Sequence, residues 1–233
     1  MHHPGPDQAA VPSDGPHGYY GQSRPEMVEL LPSGIGSLLD VGCGEGAFLD
    51  AVRARRPSVR LRGIEPEVAP AQRARDRGLD VTTGSFPGGV DPSERFDCIV
   101  FNDVLEHLID PWGGLRAARD LLDDGGFVVA SIPNIRNLET LFALVRRGRW
   151  EYLDSGVLDR THLRFFTRST IFDLFDVAGY EVVTIMGGWP LRARRWWVLR
   201  LLSIAAGRTL YREGCFRQFH VVARPVIPPP APT

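Results

Sequence analysis

The sequence predicts an α/β fold in which helices cover both faces of a parallel sheet. Strand-like apolar runs and amphipathic helical runs alternate along the chain, and the connections between them are short. The run Phe96–Phe101 is largely apolar, as expected for a central strand that is buried on both faces. The run Leu38–Val41 passes directly into a turn with Gly42, Gly44 and Gly46, after which a helical pattern begins. Because ligands of such sheets bind at the carboxyl ends of the strands, a binding site is expected at that edge.

The individual elements follow from apolar periodicity and from residues that begin or end helices. The strands are predicted over residues 37–41, 59–64, 80–83, 96–101, 127–132, 181–186 and 218–223. The helices are predicted over residues 26–31, 47–56, 67–77, 111–122, 137–147 and 169–178. Pro57 and Gly78 end two of these helices, Thr167 is the expected N-cap of the last one, and residues 123–126 form a turn.

The composition is that of an ordinary globular protein, and it excludes several kinds of partner and catalytic chemistry. The 233 residues, 43% of them hydrophobic, suit one α/β domain with elaborations or one and a half small ones. The formal net charge of -1 provides no basic field, so no nucleic-acid partner is expected. The chain contains no lysine, which excludes Schiff-base, pyridoxal phosphate and P-loop lysine chemistry. Cys43, Cys98 and Cys215 lack metal-ligand spacing, so thiols in a reducing cytoplasm are expected.

Both ends of the chain are predicted to lie outside the folded domain. Residues 1–18 are rich in Pro, Gly, His and Asp, and residues 225–233 are rich in Pro. Such segments are predicted to be disordered tails, which leaves a domain over residues 19–224. The first segment lacks the basic start and the apolar core of a signal peptide. No apolar run reaches the roughly 20 residues that a membrane-spanning helix needs.

The glycine turn and the next two strand ends carry groups that suit a nucleotide. The turn presents backbone N–H groups and a helix N-terminus to a ligand, although a purely structural glycine turn is the alternative. Glu65 ends the second strand, where a carboxylate accepts hydrogen bonds from two ribose hydroxyls. Ser85 and Phe86 follow the third strand and offer a hydrogen bond and an apolar face to an adenine. The spacing Gly-x-Gly-x-Gly differs from the Gly-x-Gly-x-x-Gly of dinucleotide sites.

Further polar residues fall at the same edge of the predicted sheet. Asn102 and His107 follow the fourth strand, and Asn134 follows the fifth. Tyr20 and Arg24 precede the first strand and either close over a ligand in the glycine turn or pack on the outside of the sheet. Because the carboxyl ends of parallel strands share one edge, the sequence predicts one common site there.

Together these residues resemble the motifs of class I S-adenosylmethionine-dependent methyltransferases. Leu38–Gly46 is similar to their first motif, Glu65 to the acidic residue that holds the ribose hydroxyls, and Phe96–His107 to their fourth motif. The resemblance covers about Tyr19–Pro225. It implies S-adenosylmethionine as the cofactor and a Rossmann-like, mostly parallel seven-stranded sheet. In such a sheet the last strand, 218–223, is antiparallel and lies next to the sixth.

The expected cofactor contacts combine these motifs with the polar strand ends. They are Tyr20, Arg24, Asp40, Gly42, Cys43, Gly44, Glu65, Pro66, Ser85, Phe86, Asn102, Asp103 and Leu105. In the family that the chain resembles, the glycine turn holds the methionine part of the cofactor. A nicotinamide-dependent oxidoreductase ranks last among the alternatives because the glycine spacing differs from the dinucleotide motif.

The insert over residues 134–168 is expected to cover the substrate. Its run Leu158–Thr167 is similar to bacterial methyltransferases found with glycosyltransferases in polysaccharide or glycolipid pathways. This likeness predicts O-methylation of a sugar or glycoconjugate hydroxyl. The alternatives are an O-methyltransferase for a phenol, quinone precursor or other natural product, and a non-catalytic cofactor-binding protein. A hydroxyl acceptor needs a base, for which His162 and His107 are the candidates, each with a purely structural role as the alternative.

A divalent metal is a further alternative at the end of the fourth strand. Asp103, Glu106 and His107 share one face if their segment is helical, and ubiquinone-pathway O-methyltransferases show a similar acid-x-x-Glu-His pattern. Helix-capping acids and a solvated helix face explain the same residues more simply. No metal site is therefore predicted.

The segment over residues 189–217 is rich in tryptophan and arginine, and Glu213 is its only acid. An interfacial helix at a lipid headgroup layer uses such residues, and so does a helix packed on the domain or at a dimer interface. The protein is predicted to be cytoplasmic because its cysteines suit a reducing compartment. Peripheral contact with the inner face of the membrane and a homodimer are the candidate associations.

Overall fold

The computed structural model describes residues 23–190, 210 and 213–226. Tyr20, the predicted tail over residues 1–18 and most of the segment 189–217 lie outside the described residues. The helices are α1 (Pro25–Leu30), α2 (Ala47–Arg55), α3 (Val68–Asp76), α4 (Pro111–Leu121), α5 (Leu138–Arg147) and α6 (Arg168–Val177). The strands are β1 (Ser37–Val41), β2 (Arg60–Glu65), β3 (Val81–Thr83), β4 (Phe96–Asn102), β5 (Leu122–Pro133), β6 (Tyr180–Pro190) and β7 (Phe216–Pro225). No helix in the described ranges is long and apolar enough to cross a membrane.

The strands form one seven-stranded sheet in the order β3-β2-β1-β4-β5-β7-β6. β1 lies at the centre of the parallel part, where Asp40 pairs with Gly63 of β2 on one side and with Val100 of β4 on the other. β7 runs antiparallel to both β5 and β6. The predicted mostly parallel sheet, with its last strand antiparallel and next to the sixth, is therefore confirmed.

Apolar side chains pack on both faces of the sheet because successive residues of a strand point to opposite sides. On β4, Ile99 and Phe101 belong to the apolar cluster on one face. Cys98 and Val100 belong to the cluster on the other face, which also holds Leu49 of α2. Two buried layers cover the central strands, so the largely apolar run predicted to be a central strand has the expected surroundings.

Two strands differ most from their predicted bounds, whereas the others agree to within two residues at each end. β5 begins at Leu122 because Leu122 pairs with Phe96, whereas Phe127 already pairs with Cys98. The predicted turn over residues 123–126 therefore bulges out of a longer strand. β6 continues to Pro190 instead of ending at residue 186, because the glycines at 187 and 188 leave room for two rings from β7.

The sheet leaves little space beneath the glycine turn. A substitution at Gly63 of β2 tests how tightly this region is packed. A Cβ atom at Gly63 would lie 2.7 Å from the Cys43 sulfur and 2.9 Å from a Val81 methyl group. We expect Gly63→Ala to lower the free energy of unfolding by about 1–3 kcal/mol, measured by urea denaturation. Gly88→Ala is the matched control, since its nearest neighbour would be 3.8 Å away. Equal stability of the two variants would contradict this account of the packing.

Candidate active site

A cavity of about 1500 Å³ opens at the carboxyl ends of the parallel strands. One part of its wall comes from the ends of β1, β2 and β4, and another comes from α5 and the loop between α5 and α6. Most of the predicted site residues line this cavity. They are Arg24, Asp40, Gly42, Cys43, Gly44, Glu65, Pro66, Ser85, Phe86, Asn102, Asp103, His107 and His162. The predicted common site is thus present, with cofactor candidates and base candidates on one continuous surface.

Three sequence predictions about this edge are wrong. Leu105 is fully buried in the apolar core and does not line the cavity. Asn134 is buried too, and its amide donates to the backbone oxygens of Glu213 and Phe216, which ties down the chain before β7. The glycine turn as a whole is predicted to face a ligand, but Gly46 does not line the cavity, and a Cβ atom there would clash with Leu79. Its small size serves the packing of α2 against the end of α3.

All three glycines of the turn adopt the left-handed conformation that favours glycine, with Gly46 at φ 78°. Gly42 has φ 69° and Gly44 has φ 55°. The Gly42 N–H donates to the Ile64 carbonyl at 2.8 Å, which ties the turn to the end of β2. A Cβ atom at Gly42 would lie 2.8 Å from a Val104 methyl group, so a larger residue there would push on the segment after β4.

Two backbone hydrogen bonds anchor the carboxylate of Glu65 in the cavity. Its carboxylate accepts the Gly44 N–H at 2.8 Å and the Glu67 N–H at 3.0 Å, one on each oxygen. Burial raises the pKa of Glu65, and these two hydrogen bonds oppose the rise. Each carboxylate oxygen keeps a further acceptor position. The group is therefore fixed in place and still able to accept two hydroxyl donors, as a ribose requires.

Asp40 and Asn102 bring buried polar atoms to the same wall. One Asp40 oxygen and both polar atoms of the Asn102 amide make no hydrogen bond of normal geometry within the described chain. Burial, and after it the charge of Glu65, holds the pKa of Asp40 well above its usual range, and the charge of Arg24 and then the Asn102 amide partly offset this. Buried polar atoms without partners are costly unless a ligand or water supplies the bond. These unsatisfied atoms beside Glu65 and the glycine turn fit S-adenosylmethionine, which carries an amino group, a carboxylate and a ribose.

Asp103 does not share a helix face with Glu106 and His107, because its backbone is left-handed with φ 52°. Only a single 3₁₀ turn, Leu105–His107, follows it. The Asp103 carboxylate instead forms an ion pair with Arg24 and accepts hydrogen bonds from Ser131 at 2.7 Å and from Gln218 at 3.2 Å. The i, i+3, i+4 arrangement considered for a metal ion is therefore absent. Asp103 lines the cavity next to Asn102.

Glu106 and the two histidines form a second polar cluster in the cavity. His162 Nε2 lies 3.9 Å from a Glu106 carboxylate oxygen, and the rings of His107 and His162 are 4.8 Å apart between centroids. The carbonyl of Glu106 accepts the N–H groups of Leu163 at 2.9 Å and Arg164 at 3.0 Å, which fixes the insert to the 3₁₀ turn. His162 is brought to the site in this way from more than 50 residues further along the chain.

Burial governs the protonation of this cluster. It lowers the pKa of His162, helped by the neighbouring His107, so the imidazole is neutral near pH 7. The His162 Nδ1 lies 3.2 Å from the Val157 carbonyl oxygen and donates to it, which leaves the Nε2 lone pair free. Glu106 is only 1% exposed and neither of its oxygens has a hydrogen-bond partner in the described chain. Burial, and then the charge of Asp103, holds its pKa well above the usual range.

Sequence reasoning named Glu106 only as part of a helical metal motif and did not foresee its pairing with His162. The signal in the sequence was an acid next to a histidine directly after a central strand. The partner comes from the insert, and no local pattern links residues 106 and 162.

The chain is similar to a known protein family and to individual enzymes. Residues 17–185 match the family described as methyltransferase domain. The ubiquinone biosynthesis O-methyltransferase of Cereibacter sphaeroides (strain ATCC 17025) is 31% identical over 158 residues, covering 64% of this chain and 62% of the relative. The corresponding protein of Ruegeria pomeroyi is 33% identical over 161 residues, with 64% and 62% covered. The matches thus span less than two thirds of these relatives.

Solved structures show the same fold. An S-adenosylmethionine-dependent methyltransferase from Archaeoglobus fulgidus has a TM-score of 0.58 at 16% identity, covering 82% of this chain and 86% of that one. The CcbJ methyltransferase from Streptomyces caelestis has a TM-score of 0.60 at 14% identity, with 89% and 90% covered. The family match spans most of the chain and includes every predicted cofactor contact. The chain therefore belongs to the methyltransferase domain family.

Proposed function

We propose that the protein is an S-adenosylmethionine-dependent O-methyltransferase whose acceptor is a phenolic hydroxyl of a small molecule. The observation that carries the proposal is one cavity with two differently equipped parts. The anchored carboxylate of Glu65 and the glycine turn form the cofactor part. A neutral, buried His162 paired with Glu106 lines the same cavity and supplies a base.

The relatives favour a phenol over the sugar or glycoconjugate that the insert predicted. They are named for ubiquinone biosynthesis, and none of those described above is named for a polysaccharide pathway. Trp150, Leu153 and Val157 of the insert line the cavity and offer apolar surface to an aromatic ring. A sugar or glycoconjugate acceptor, which the run Leu158–Thr167 predicted, is therefore less favoured than a phenol.

The residues of the cavity account for the steps of such a reaction. When bound, the cofactor would supply a methyl group carried on a sulfonium, and its sulfur would be left as a neutral thioether. His162 Nε2 would accept the proton of the acceptor hydroxyl whose oxygen takes the methyl group. The Val157 carbonyl holds the opposite ring nitrogen, so the imidazole keeps the required tautomer. Burial of the cluster would limit the access of water, and the cavity walls would orient the acceptor.

A metal-assisted form of the reaction is the second candidate, because the cluster has the spacing of an ion site. Ligand atoms of Glu106, His107 and His162 lie within 4.8 Å of one another. Two imidazoles and one carboxylate suit a divalent transition ion better than Mg²⁺, which prefers oxygen ligands. An ion held there would lower the pKa of a bound acceptor hydroxyl and replace the base.

Assays of the purified full chain test the proposed activity. Methyl transfer from labelled S-adenosylmethionine would be measured with a panel of catechols and hydroxybenzoates, and in parallel with glycan and glycolipid extracts. We expect label on phenols. Label only on glycans would restore the sugar acceptor, and cofactor binding without turnover on any acceptor would favour the non-catalytic alternative.

Chelation distinguishes the two forms of the mechanism. If His162 is the base, EDTA followed by gel filtration is expected to leave kcat within about twofold of the untreated enzyme. If an ion is held by Glu106, His107 and His162, kcat falls at least tenfold and returns with Zn²⁺ or Mn²⁺. Removal of adventitious metal from the assay buffer alone is the control.

The cytoplasmic location, the peripheral membrane contact and the homodimer stay predictions. The membrane and dimer readings depend on the tryptophan- and arginine-rich segment, of which residues 191–209 and 211–212 lie outside the described residues. Vesicle flotation and light scattering of the full chain would test the two associations.

A further inference from the structure

Three strained residues meet at one point of the cavity wall. Within the described chain, Arg24, Asp103 and Trp189 are the non-glycine residues with positive φ, at 47°, 52° and 48°. This conformation is unfavourable for residues that carry a Cβ atom. The three residues come from distant places: before α1, after β4 and near the end of β6. Strain that is collected at one place in this way is typical of a functional site.

Arg24 connects the three residues. Its guanidinium forms the ion pair with Asp103 and lies 5.3 Å from the centroid of the Trp189 ring. The Arg24 side chain is only 9% exposed, so its guanidinium is largely shielded from water even though the Trp189 side of the contact is open. Ser131 and Gln218 in turn hold the Asp103 carboxylate. A rigid base therefore supports one side of the guanidinium and an aromatic face supports another.

The cluster lies where the two parts of the cavity meet. Arg24, Asp103 and Trp189 all line the cavity. Asp103 directly follows Asn102 of the cofactor part and precedes the turn that carries Glu106. The Trp189 ring remains 46% exposed although Arg24 packs on it. A large aromatic side chain that is partly open to the cavity, and held in a strained backbone, requires an explanation beyond core packing.

We propose that Trp189 is a positioning residue for the cofactor, acting through Arg24. The inference rests on the proposed function, in which Arg24 is a cofactor contact. S-adenosylmethionine carries one carboxylate, and Arg24 lines the same cavity as the Asp40 and Asn102 atoms without hydrogen bonds. Asp103 and a long hydrogen bond to Ser131 at 3.5 Å hold the edge of the guanidinium, and the Trp189 ring restricts the tilt of its plane. The pair thus presents the remaining N–H donors to the cofactor carboxylate.

A double-mutant cycle on cofactor binding tests this inference. The Kd of S-adenosylmethionine would be measured by calorimetry for Trp189→Ala, Arg24→Gln and the double variant. We expect Trp189→Ala to raise Kd about 5- to 20-fold, and the double variant to bind no more weakly than Arg24→Gln alone. Trp189→Phe keeps an aromatic face and is expected to stay within about threefold of the wild type.

The outcomes separate a positioning role from a structural one. Trp112→Phe, on α4 and outside the cavity, is the matched control and is expected to leave Kd unchanged. A Trp189→Ala variant that melts earlier but binds the cofactor like the wild type would overturn the inference, and so would fully additive losses in the cycle. If the wild type itself binds no cofactor, the proposed function fails together with the inference. If Arg24→Gln weakens cofactor binding but both Trp189 variants bind like the wild type, the inference fails and the proposed function stands.

Discussion

Replacing His162 by Gln is expected to lower kcat by about 10²- to 10³-fold and to leave the Kd of the cofactor within about twofold. The neutral imidazole lies in the acceptor part of the cavity, and its free Nε2 lone pair faces Glu106. Glutamine keeps the size and polarity of the side chain but cannot take up a proton near neutral pH. The loss should therefore appear in turnover, measured under saturating cofactor with labelled methyl transfer, and not in cofactor binding.

Two further histidines serve as comparisons for that experiment. His107→Gln tests the competing base, and we expect a smaller loss because His107 is only half-buried, whereas His162 is buried beside Glu106. His220 is buried on β7 and does not line the cavity, so His220→Gln is expected to leave kcat near the wild-type value. If His107→Gln causes the large loss and His162→Gln does not, the assignment of the base is wrong.

Glu106 extends the same test to the metal question. Glu106→Gln keeps the shape of the side chain and replaces the carboxyl by an amide that cannot ionise. If the carboxylate only orients His162, we expect a loss of about tenfold in kcat that EDTA does not deepen. A variant that has lost a metal ligand would instead need far more Zn²⁺ or Mn²⁺ for the same kcat.

The cofactor part of the site could be predicted because it depends on short-range patterns. A strand, a glycine turn and an acid at the next strand end are close in sequence, and the parallel sheet brings their ends to one edge. β1 was predicted with its observed bounds, and Glu65 lies where the pattern expected it. The antiparallel β7 came from the family resemblance instead, since nothing in residues 216–225 alone gives their neighbours in the sheet.

The acceptor part could not be predicted in the same way because long-range contacts shape it. A local reading makes residues 103–107 helical, but Asp103 adopts a left-handed backbone that Arg24, Ser131 and Gln218 support from three other elements. With this left-handed backbone at Asp103, the Leu105 side chain is buried in the core, and Asp103 and Glu106 no longer share a helix face. The cluster is then completed by His162, which reaches it only because the insert folds back on the 3₁₀ turn.

Glu65→Ala is expected to raise the Kd of S-adenosylmethionine by about 100-fold or more. Two hydrogen bonds from ribose hydroxyls to a carboxylate contribute roughly 1.5–3 kcal/mol each, which corresponds to a factor of that size or larger. The variant also leaves the N–H groups of Gly44 and Glu67 without their acceptor. Calorimetry would measure Kd, and Glu29→Gln on the exposed side of α1 is the control that should bind like the wild type. A Kd within fivefold of the wild type would contradict the assigned ribose contact.

The affinity for the cofactor is expected to depend on pH through the protonation of Glu65. This dependence separates the effect of the charge of Glu65 from the effect of its shape. Burial raises the pKa of this carboxyl above its ordinary value of 4.5, so the charged form that accepts ribose hydroxyls is lost earlier as the pH falls. Cofactor affinity should therefore weaken as the pH falls, and the loss should begin at a higher pH than it would for a carboxyl of ordinary pKa. Asp40, whose pKa is raised too, adds to the same trend. Glu65→Gln removes one of the two titrating groups, so we expect its Kd to be higher at pH 7.5 and to change less towards pH 5. An unchanged wild-type Kd over this range would show that the carboxylate stays ionised in the cavity, against the effect of its burial.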